Sequence, residues 1–336
     1  DFRDRFLYRD VQQELKSKLI WNAWRVASPR YGRGDLLAEY LDEEVFDGAT
    51  FRNLTRAPRP FVVISATDIS LGAQFPFTQE RFDLLCSDLG EVPVARAVAA
   101  SMALPPYFSP LTLWNYAGQC AYTQPPWLKE HPEADERARH DQEEMRSYLD
   151  RERRPHIHLF DGGLVDNLSL RQPMGLVMRR GGLLPTLEAF GFQDLKHAVF
   201  IAVDAERDPI FDLDQDADVP GLATTIEALG NVFNLSSFDS SVLVDESVAR
   251  WREELRAARP ADAPEVKFHI IDASLRSISD PREREHFMTI PTTLHLDRQD
   301  VDALRALGGR LVTSAPDFKA LMRDIGATGA ERGAGG

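Results

Sequence analysis

The sequence contains few cysteines, few lysines and no long apolar run. Its two cysteines, Cys86 and Cys120, cannot form a disulfide framework or a four-cysteine zinc site. We expect both thiols to pack in the core, with one bridge between them as the alternative. No apolar segment reaches the roughly 20 residues that a transmembrane helix needs. These absences exclude a disulfide-stapled scaffold and leave this sequence without a membrane-spanning segment.

Positive charge is also scarce. The sequence has 39 Lys and Arg against 53 Asp and Glu, a net charge of −14 at pH 7. Binding to nucleic acid relies on clustered basic residues that neutralise phosphates, so we expect no nucleic-acid partner. No polybasic run stands beside an apolar stretch, so an electrostatic lipid anchor is not indicated either. With 43% hydrophobic and 27% charged residues, the composition is that of a globular protein with a packed core.

Several familiar motifs are missing. No serine lies in a G-x-S-x-G elbow, and there is no Walker loop, H-E-x-x-H pair or G-x-G-x-x-G fingerprint. These absences argue against a nucleotide-binding protein. In the acidic run 212–218, every second residue is an aspartate, as in a calcium-binding loop. However, Ala217 and Ala223 stand where an EF-hand needs a glycine and a glutamate. We therefore expect a solvated loop there, with no metal and no cofactor.

The apolar pattern predicts an α/β protein with a largely parallel sheet, since short strands alternate with helices. The predicted strands are 61–66, 74–77, 156–160, 198–203 and 266–271. The predicted helices are 2–26, 35–45 with Asp35 as N-cap, 94–103, 171–179 and 219–257. Residues 128–155 are predicted to be a charged surface insertion, and 298–325 a tail of two helices. Without a clear linker or repeat, residues 1–336 are interpreted as one domain.

The first predicted helix carries two tryptophans, Trp21 and Trp24, among charged residues. A helix of this kind usually turns its apolar face to the core. The alternative is a helix that lies on a membrane surface, where tryptophan is favoured. A peripheral contact with a membrane therefore stays open.

One carboxylate, that of Asp161, is notable for its position in the predicted sheet. Asp161 directly follows the predicted strand 156–160 and precedes Gly162 and Gly163. Open α/β sheets bind ligands at the carboxyl ends of their strands, and the two glycines leave space beside the carboxylate. The alternative is a simple turn in which the aspartate caps the backbone.

Several segments, taken in order, resemble the patatin-like phospholipases and in particular a bacterial branch of that family. The octapeptide DGGLVDNL, which begins at Asp161, is similar to the family's D-G-G-x-x-x-N segment. The Ala-rich stretch 94–101, followed by Pro105 and Phe108, is similar to the helix and proline-aromatic turn beside its active site. The segments 65–75 and 290–304 also resemble that branch. The likeness extends over most of the chain.

The resemblance implies a three-layer α/β fold with a largely parallel central sheet and helices on both faces. It also implies a lipid acyl hydrolase, a phospholipase or esterase that uses a Ser-Asp dyad and no cofactor. The family's Gly-rich oxyanion loop and serine elbow would lie upstream of Asp1, so we expect a fold incomplete at the N-terminus. This chain would supply Asp161 without the serine and would be inactive alone. The alternative is a non-catalytic patatin-fold binding protein that has lost its nucleophile.

The resemblance also assigns roles to individual residues. Asp161 would be the catalytic base, with Gly162, Gly163 and Asn167 forming the active-site loop. The substrate-binding residues would be Ser101, Pro105, Tyr107 and Phe108. The partner would be a phospholipid or another acyl-ester substrate. The compartment stays open, although relatives of this branch are often exported or membrane-associated.

Overall fold

The computed structural model describes residues 1–55, 60–125, 128, 136–192, 194–207, 221, 230–258 and 265–327. The chain divides into two compact units. Unit 1 comprises Asp1–Gly182 and Val219–Asp245, and unit 2 comprises Leu183–Asp218 and Glu246–Gly336. The single domain interpreted from the sequence stays a prediction.

Among the described residues, unit 1 contains a four-stranded sheet and the α-helices α1 to α9. The helices are α1 (Val11–Trp21), α2 (Ala23–Val26), α3 (Arg33–Leu41), α4 (Phe51–Thr55), α5 (Gln79–Leu84), α6 (Val94–Ser101), α7 (Glu136–Ser147), α8 (Gly163–Asp166) and α9 (Arg171–Arg179). The strands are β1 (Ser65–Asp68), β2 (Ala73–Pro76), β3 (Leu111–Trp114) and β4 (His156–Phe160).

Unit 2 contains the remaining elements of the described chain. They are α10 (Leu183–Ala189), β5 (His197–Asp204), α11 (Gly230–Ala258), β6 (Lys267–Ser274), α12 (Pro281–Met288), α13 (Arg298–Ser314) and α14 (Pro316–Asp324). Helix α11 contributes its residues up to Asp245 to unit 1 and the rest to unit 2.

The sheet of unit 1 is antiparallel, which corrects the prediction of a largely parallel sheet. Its strand order is β2-β1-β4-β3, and every neighbouring pair runs antiparallel. Strands β1 and β2 form a hairpin whose turn contains Gly72 at φ 64°, a left-handed conformation that glycine adopts without strain. Alternation of strands and helices along a sequence does not determine strand direction, and here the short connection selects the antiparallel pairing.

Unit 2 contains the parallel pair of the described chain. Strands β5 and β6 pair along their whole length, from His197 opposite Lys267 to Asp204 opposite Ser274. Helices α13 and α14 pack against β6. The break between these two helices at Ala315 confirms the predicted helical tail.

The N-terminal region differs from its prediction as a single helix. A π-helical turn covers Arg3–Leu7, and α1 begins afresh after Asp10, whose side chain accepts a hydrogen bond from the Gln13 amide at 2.9 Å. Helix α3 begins after Gly32, so Asp35 lies inside its first turn and is not the N-cap. Its carboxylate accepts from the Gly32 amide at 3.0 Å.

Two other segments differ from their predictions, one in its bounds and the other in its burial. Strand β1 begins at Ser65, and Phe61 lies outside it with 79% of its surface exposed. Within the segment predicted to be a charged surface insertion, Met145 and Tyr148 are fully buried. Tyr148 contacts Phe75 edge to face, with ring centroids 5.7 Å apart, so this segment contributes to the core of unit 1.

The two cysteines form a disulfide, which corrects the expectation that they pack as free thiols. Cys86 and Cys120 have Cα atoms 5.5 Å apart and a sequence separation of 34 residues. Disulfides of this kind persist in oxidising compartments. The bridge ties the end of α5 to the segment that follows β3.

We predict that loss of this bridge destabilises unit 1. Closing a loop of about 34 residues lowers the entropy of the unfolded chain, which corresponds to roughly 3–4 kcal/mol of stability. Replacing Cys86 and Cys120 by serine should therefore lower the melting temperature measured by circular dichroism. Reductant should lower the melting temperature of the wild type and leave the double variant unchanged. An equal effect of reductant on both proteins would contradict this prediction.

Candidate active site

Asp161 lies immediately beyond the last residue of β4, and its main chain is held from two sides. Its amide donates to the carbonyl of Ala103 at 3.1 Å, in the turn that follows α6. Its carbonyl accepts from the hydroxyl of Thr67 on β1 at 2.8 Å. Because β1 and α6 both bind this peptide, the position of the carboxylate is set by the fold rather than by a free loop.

The two glycines after Asp161 lie in close packing, which requires glycine at Gly162. A Cβ at Gly162 would stand 2.4 Å from the carbonyl oxygen of Ser65, a contact that only glycine avoids. The Gly162 amide also donates to the carbonyl of Ser101 at 3.4 Å. A Cβ at Gly163 would lie 2.9 Å from Oδ1 of Asn167 and 3.2 Å from Oδ1 of Asp161. The loop therefore approaches β1 and α6 closely and leaves no room for a larger residue at Gly162, whereas at Gly163 the two side-chain oxygens would have to move.

The Asp161 carboxylate is half-buried and has little compensation. Burial raises its pKa, and the hydrogen bond from the Gly163 amide to Oδ1, at 2.8 Å, partly opposes that rise. Among the described residues, none donates a hydrogen bond to Oδ2. A carboxylate with a raised pKa and one unoccupied oxygen is a stronger proton acceptor than an exposed aspartate, as general-base chemistry needs.

The other predicted site residues lie at different distances from this carboxylate. Ser101 ends α6, and its carbonyl contacts the active-site loop through the Gly162 amide. Asn167 is exposed and lies against Gly163. Pro105 and Phe108 are partly buried, whereas Tyr107 is 58% exposed and lies on the surface. The roles assigned to these residues stay predictions.

A buried aspartate that the sequence analysis missed, Asp166, stabilises the segment after the active-site loop. It is 1% exposed. Its Oδ2 accepts from the Arg171 amide at 2.9 Å and from Gln74 Nε2 at 3.2 Å, and its Oδ1 accepts from the Ser240 hydroxyl at 2.8 Å. The motif DGGLVDNL contains this residue, but its partner Ser240 is 74 residues away and carries no local signal.

A second missed carboxylate, Asp68, is fully buried at the end of β1. It accepts from the Tyr148 hydroxyl at 2.8 Å and from the Ser70 amide at 3.0 Å. It also forms an ion pair with the guanidinium of Arg154, which lies over the Tyr148 ring at 4.6 Å. Asp68 is thus fully compensated, as expected of a structural carboxylate.

A cavity of about 450 Å³ in unit 1 lies away from Asp161. Its lining includes Ser70, Arg153, Arg154, His156 and His158. His156 begins β4, whereas Asp161 follows its last residue, so cavity and carboxylate are at opposite ends of the strand.

The acidic run 212–218 lies outside the described residues, and its predicted solvated loop stays a prediction.

We predict that Asp161→Asn stabilises the folded chain at neutral pH. Because the pKa of Asp161 is raised in the folded chain, ionising this carboxyl costs more in the folded state than in the unfolded state. The folded state therefore loses stability as the pH rises above about 4, the pKa of aspartate in the unfolded chain. The amide carries no charge, so the variant should melt at a higher temperature than the wild type at pH 7. The difference should disappear below about pH 4.

The matched control is the same substitution five residues along the chain. Asp166→Asn weakens an acceptor that serves three donors, and we expect it to lower the free energy of unfolding by about 1–3 kcal/mol. A lower melting temperature for Asp161→Asn at every pH would show that Asp161 is a structural residue of the same kind.

One comparison with known proteins gives a match. The profile of the patatin-like phospholipase family matches residues 2–174, just over half of the chain, and this span includes Asp161 and its loop. No curated protein and no solved structure matches the chain. The family has a three-layer α/β fold, and its members are hydrolases of lipid esters. The chain belongs to the patatin-like phospholipase family.

Proposed function

We propose that this protein is a lipid acyl hydrolase in which Asp161 is the base of a Ser-Asp dyad. The observation that carries the proposal is the half-buried carboxylate of Asp161, whose pKa is raised by burial and whose Oδ2 has no hydrogen-bond donor among the described residues. The span matched by the family profile adds the substrate class, a phospholipid or another acyl ester. No cofactor is needed for this chemistry.

The proposed reaction moves one proton to and from Asp161. The carboxylate takes the proton of the serine hydroxyl while the serine oxygen attacks the ester carbonyl carbon. The protonated Asp161 then donates to the leaving alcohol as the tetrahedral intermediate collapses to an acyl-enzyme. In the second half, Asp161 takes a proton from water, the hydroxide attacks the acyl carbon, and the serine leaves with that proton.

We propose that none of the serines in this sequence is the nucleophile, because none lies in a G-x-S-x-G elbow. Ser65 is the strongest rival. It lies beside Gly162, and its buried hydroxyl has no hydrogen-bond partner among the described residues. Ser101 is the other serine in contact with the active-site loop.

A fluorophosphonate probe separates these possibilities. We expect residues 1–336, folded by circular dichroism, to show no stoichiometric labelling. Adding a patatin-type segment with a Gly-rich loop and G-x-S-x-G, in the same chain or as a second fragment, should produce labelling at the added serine. Stoichiometric labelling of the chain alone, abolished by Ser65→Ala or Ser101→Ala, would contradict the proposal and identify the nucleophile.

The role of Asp161 is tested in the same assembly without the probe, so that its serine stays free to react. Asp161→Asn should lower hydrolysis of an activated ester by about 100-fold or more, because an amide cannot accept the serine proton. Asp302→Asn, the same change at an exposed position of α13, should leave turnover unchanged. Near-wild-type turnover of a folded Asp161→Asn variant would remove Asp161 from the mechanism. Lipid binding without hydrolysis in the assembly would support the non-catalytic alternative.

We also propose that the N-terminal helices contact the substrate surface. Ile20, Trp21 and Trp24 are 75%, 83% and 78% exposed, and they follow one another at the end of α1 and in α2. Tryptophan is favoured at the boundary between lipid and water. The protein is acidic, so the contact should depend on apolar burial and should favour zwitterionic over anionic lipids. Within the described part of the chain, no helix combines the length and apolarity needed to cross a bilayer.

Sedimentation with phosphatidylcholine vesicles tests this contact. Replacing Trp21 and Trp24 by serine removes the two most exposed apolar side chains of α1 and α2 and should weaken vesicle binding by about tenfold or more. Phe190→Ser, which removes an aromatic ring that is 50% exposed in unit 2, should leave binding unchanged. Equal binding of the wild type and the double variant would contradict a membrane role for these tryptophans.

A further inference from the structure

The parallel pair in unit 2 brings two histidines together at its first residues. Nδ1 of His197 on β5 lies 3.3 Å from Nε2 of His269 on β6. The two rings are nearly parallel, with an interplanar angle of 24° and centroids 5.5 Å apart. His269 is buried at 5% exposure. Both residues belong to a paired sheet, so the two nitrogens are positioned by the backbone ladder.

A carboxylate completes the cluster. Asp324 is the last residue of α14, and its Oδ2 lies 4.0 Å from Nε2 of His269. The three possible ligand atoms of His197, His269 and Asp324 all lie within 4.8 Å of one another. The residues come from three separate elements of unit 2, which explains why no local sequence motif indicates them.

The position of Asp324 is fixed by a second contact along its helix. Asp317, two turns earlier on α14, accepts from the Ile270 amide of β6 at 2.9 Å. The seven residue steps from Asp317 to Asp324 rise about 10.5 Å along the helix, and the three residue steps from Ile270 back to Lys267 span about 10 Å along the strand. The helix therefore places Asp324 beside Lys267, whose ammonium lies 2.9 Å from its Oδ1.

The spacing suits a small ion with tetrahedral coordination. Two ligands each about 2.1 Å from a tetrahedral zinc lie roughly 3.4 Å apart, close to the 3.3 Å between the two nitrogens. The carboxylate lies slightly farther out and would need to approach by roughly 1 Å. The Lys267 side chain is 54% exposed, so it can move into solvent and release Oδ1.

We propose that His197, His269 and Asp324 bind a divalent transition-metal ion of the zinc type. Two imidazole nitrogens and one carboxylate suit zinc or cobalt and disfavour calcium and magnesium, which prefer oxygen ligands. Three protein ligands leave the fourth position of a tetrahedron for water. Lys267 competes with the metal, because its ammonium and the ion are both attracted to the Asp324 carboxylate.

Titration of the full chain with Co²⁺ tests the site directly, since cobalt has visible absorption when four-coordinate and substitutes for zinc. We expect one Co²⁺ per chain, displaced by Zn²⁺, and a rise in melting temperature that a chelator reverses. Both cysteines are in the disulfide, so thiolate binding does not contribute to the signal. Absence of binding with either metal would overturn the proposal.

The variants assign the signal to these residues. Substitution of a residue that only supports a metal ligand typically weakens metal affinity by about 10- to 100-fold. Loss of a ligand itself, in His197→Ala or Asp324→Asn, should weaken the affinity by at least that factor. Both residues are partly exposed, so these variants should fold even if His269→Ala does not.

Lys267→Gln should tighten binding severalfold, a gain that general damage to the fold would not produce. His295→Ala, at an exposed histidine outside the cluster, is the control. Unchanged affinity in His197→Ala would place the metal elsewhere and contradict the proposal.

Discussion

The approach of Gly162 to the carbonyl of Ser65 is the constraint on which the candidate active site depends. No side chain fits between them, because a Cβ would stand 2.4 Å from the carbonyl oxygen. This contact draws the end of β4 against β1, and the neighbouring hydrogen bonds to Thr67 and Ala103 then fix the Asp161 peptide. Backbone packing consequently shields the carboxylate from water in part. A flexible loop would instead allow it to turn into water.

Two carboxylates of this region, the buried Asp68 and the half-buried Asp161, have opposite surroundings. Asp68 is compensated by the Arg154 guanidinium, the Tyr148 hydroxyl and a backbone amide. Asp161 has a single amide donor among the described residues. Compensation stabilises a folded structure, whereas an uncompensated carboxylate lowers stability and holds a proton more tightly. The contrast identifies Asp68 as structural and favours Asp161 as the reactive group.

Local features of the site could be predicted from the sequence. The apolar run before Asp161 predicts β4 with its correct bounds, and the two glycines after it predict a close approach. The amphipathic run that becomes α9 was also predictable, with Gly181 in a left-handed conformation beyond its end. In each case the determining residues are neighbours in sequence.

Features that depend on distant residues could not be predicted in this way. The pairing of β1 with β4 joins Thr67 to Phe160, so strand direction cannot be inferred from either strand alone. The same holds for the bridge from Cys86 to Cys120 and for the bond from Ser240 to Asp166. The histidines of β5 and β6 likewise meet only through the parallel register.

The most direct test of the account is the ionisation of Asp161 itself. Carbon-13 NMR of the chain labelled at aspartate side-chain carboxyls follows each group through a pH titration, and Asp161→Asn identifies the resonance. The account predicts that the Asp161 midpoint lies clearly above the ordinary aspartate value of about 3.9. A midpoint at or below that value would show that the carboxylate is compensated or solvated, and would contradict its assignment as a half-buried general base.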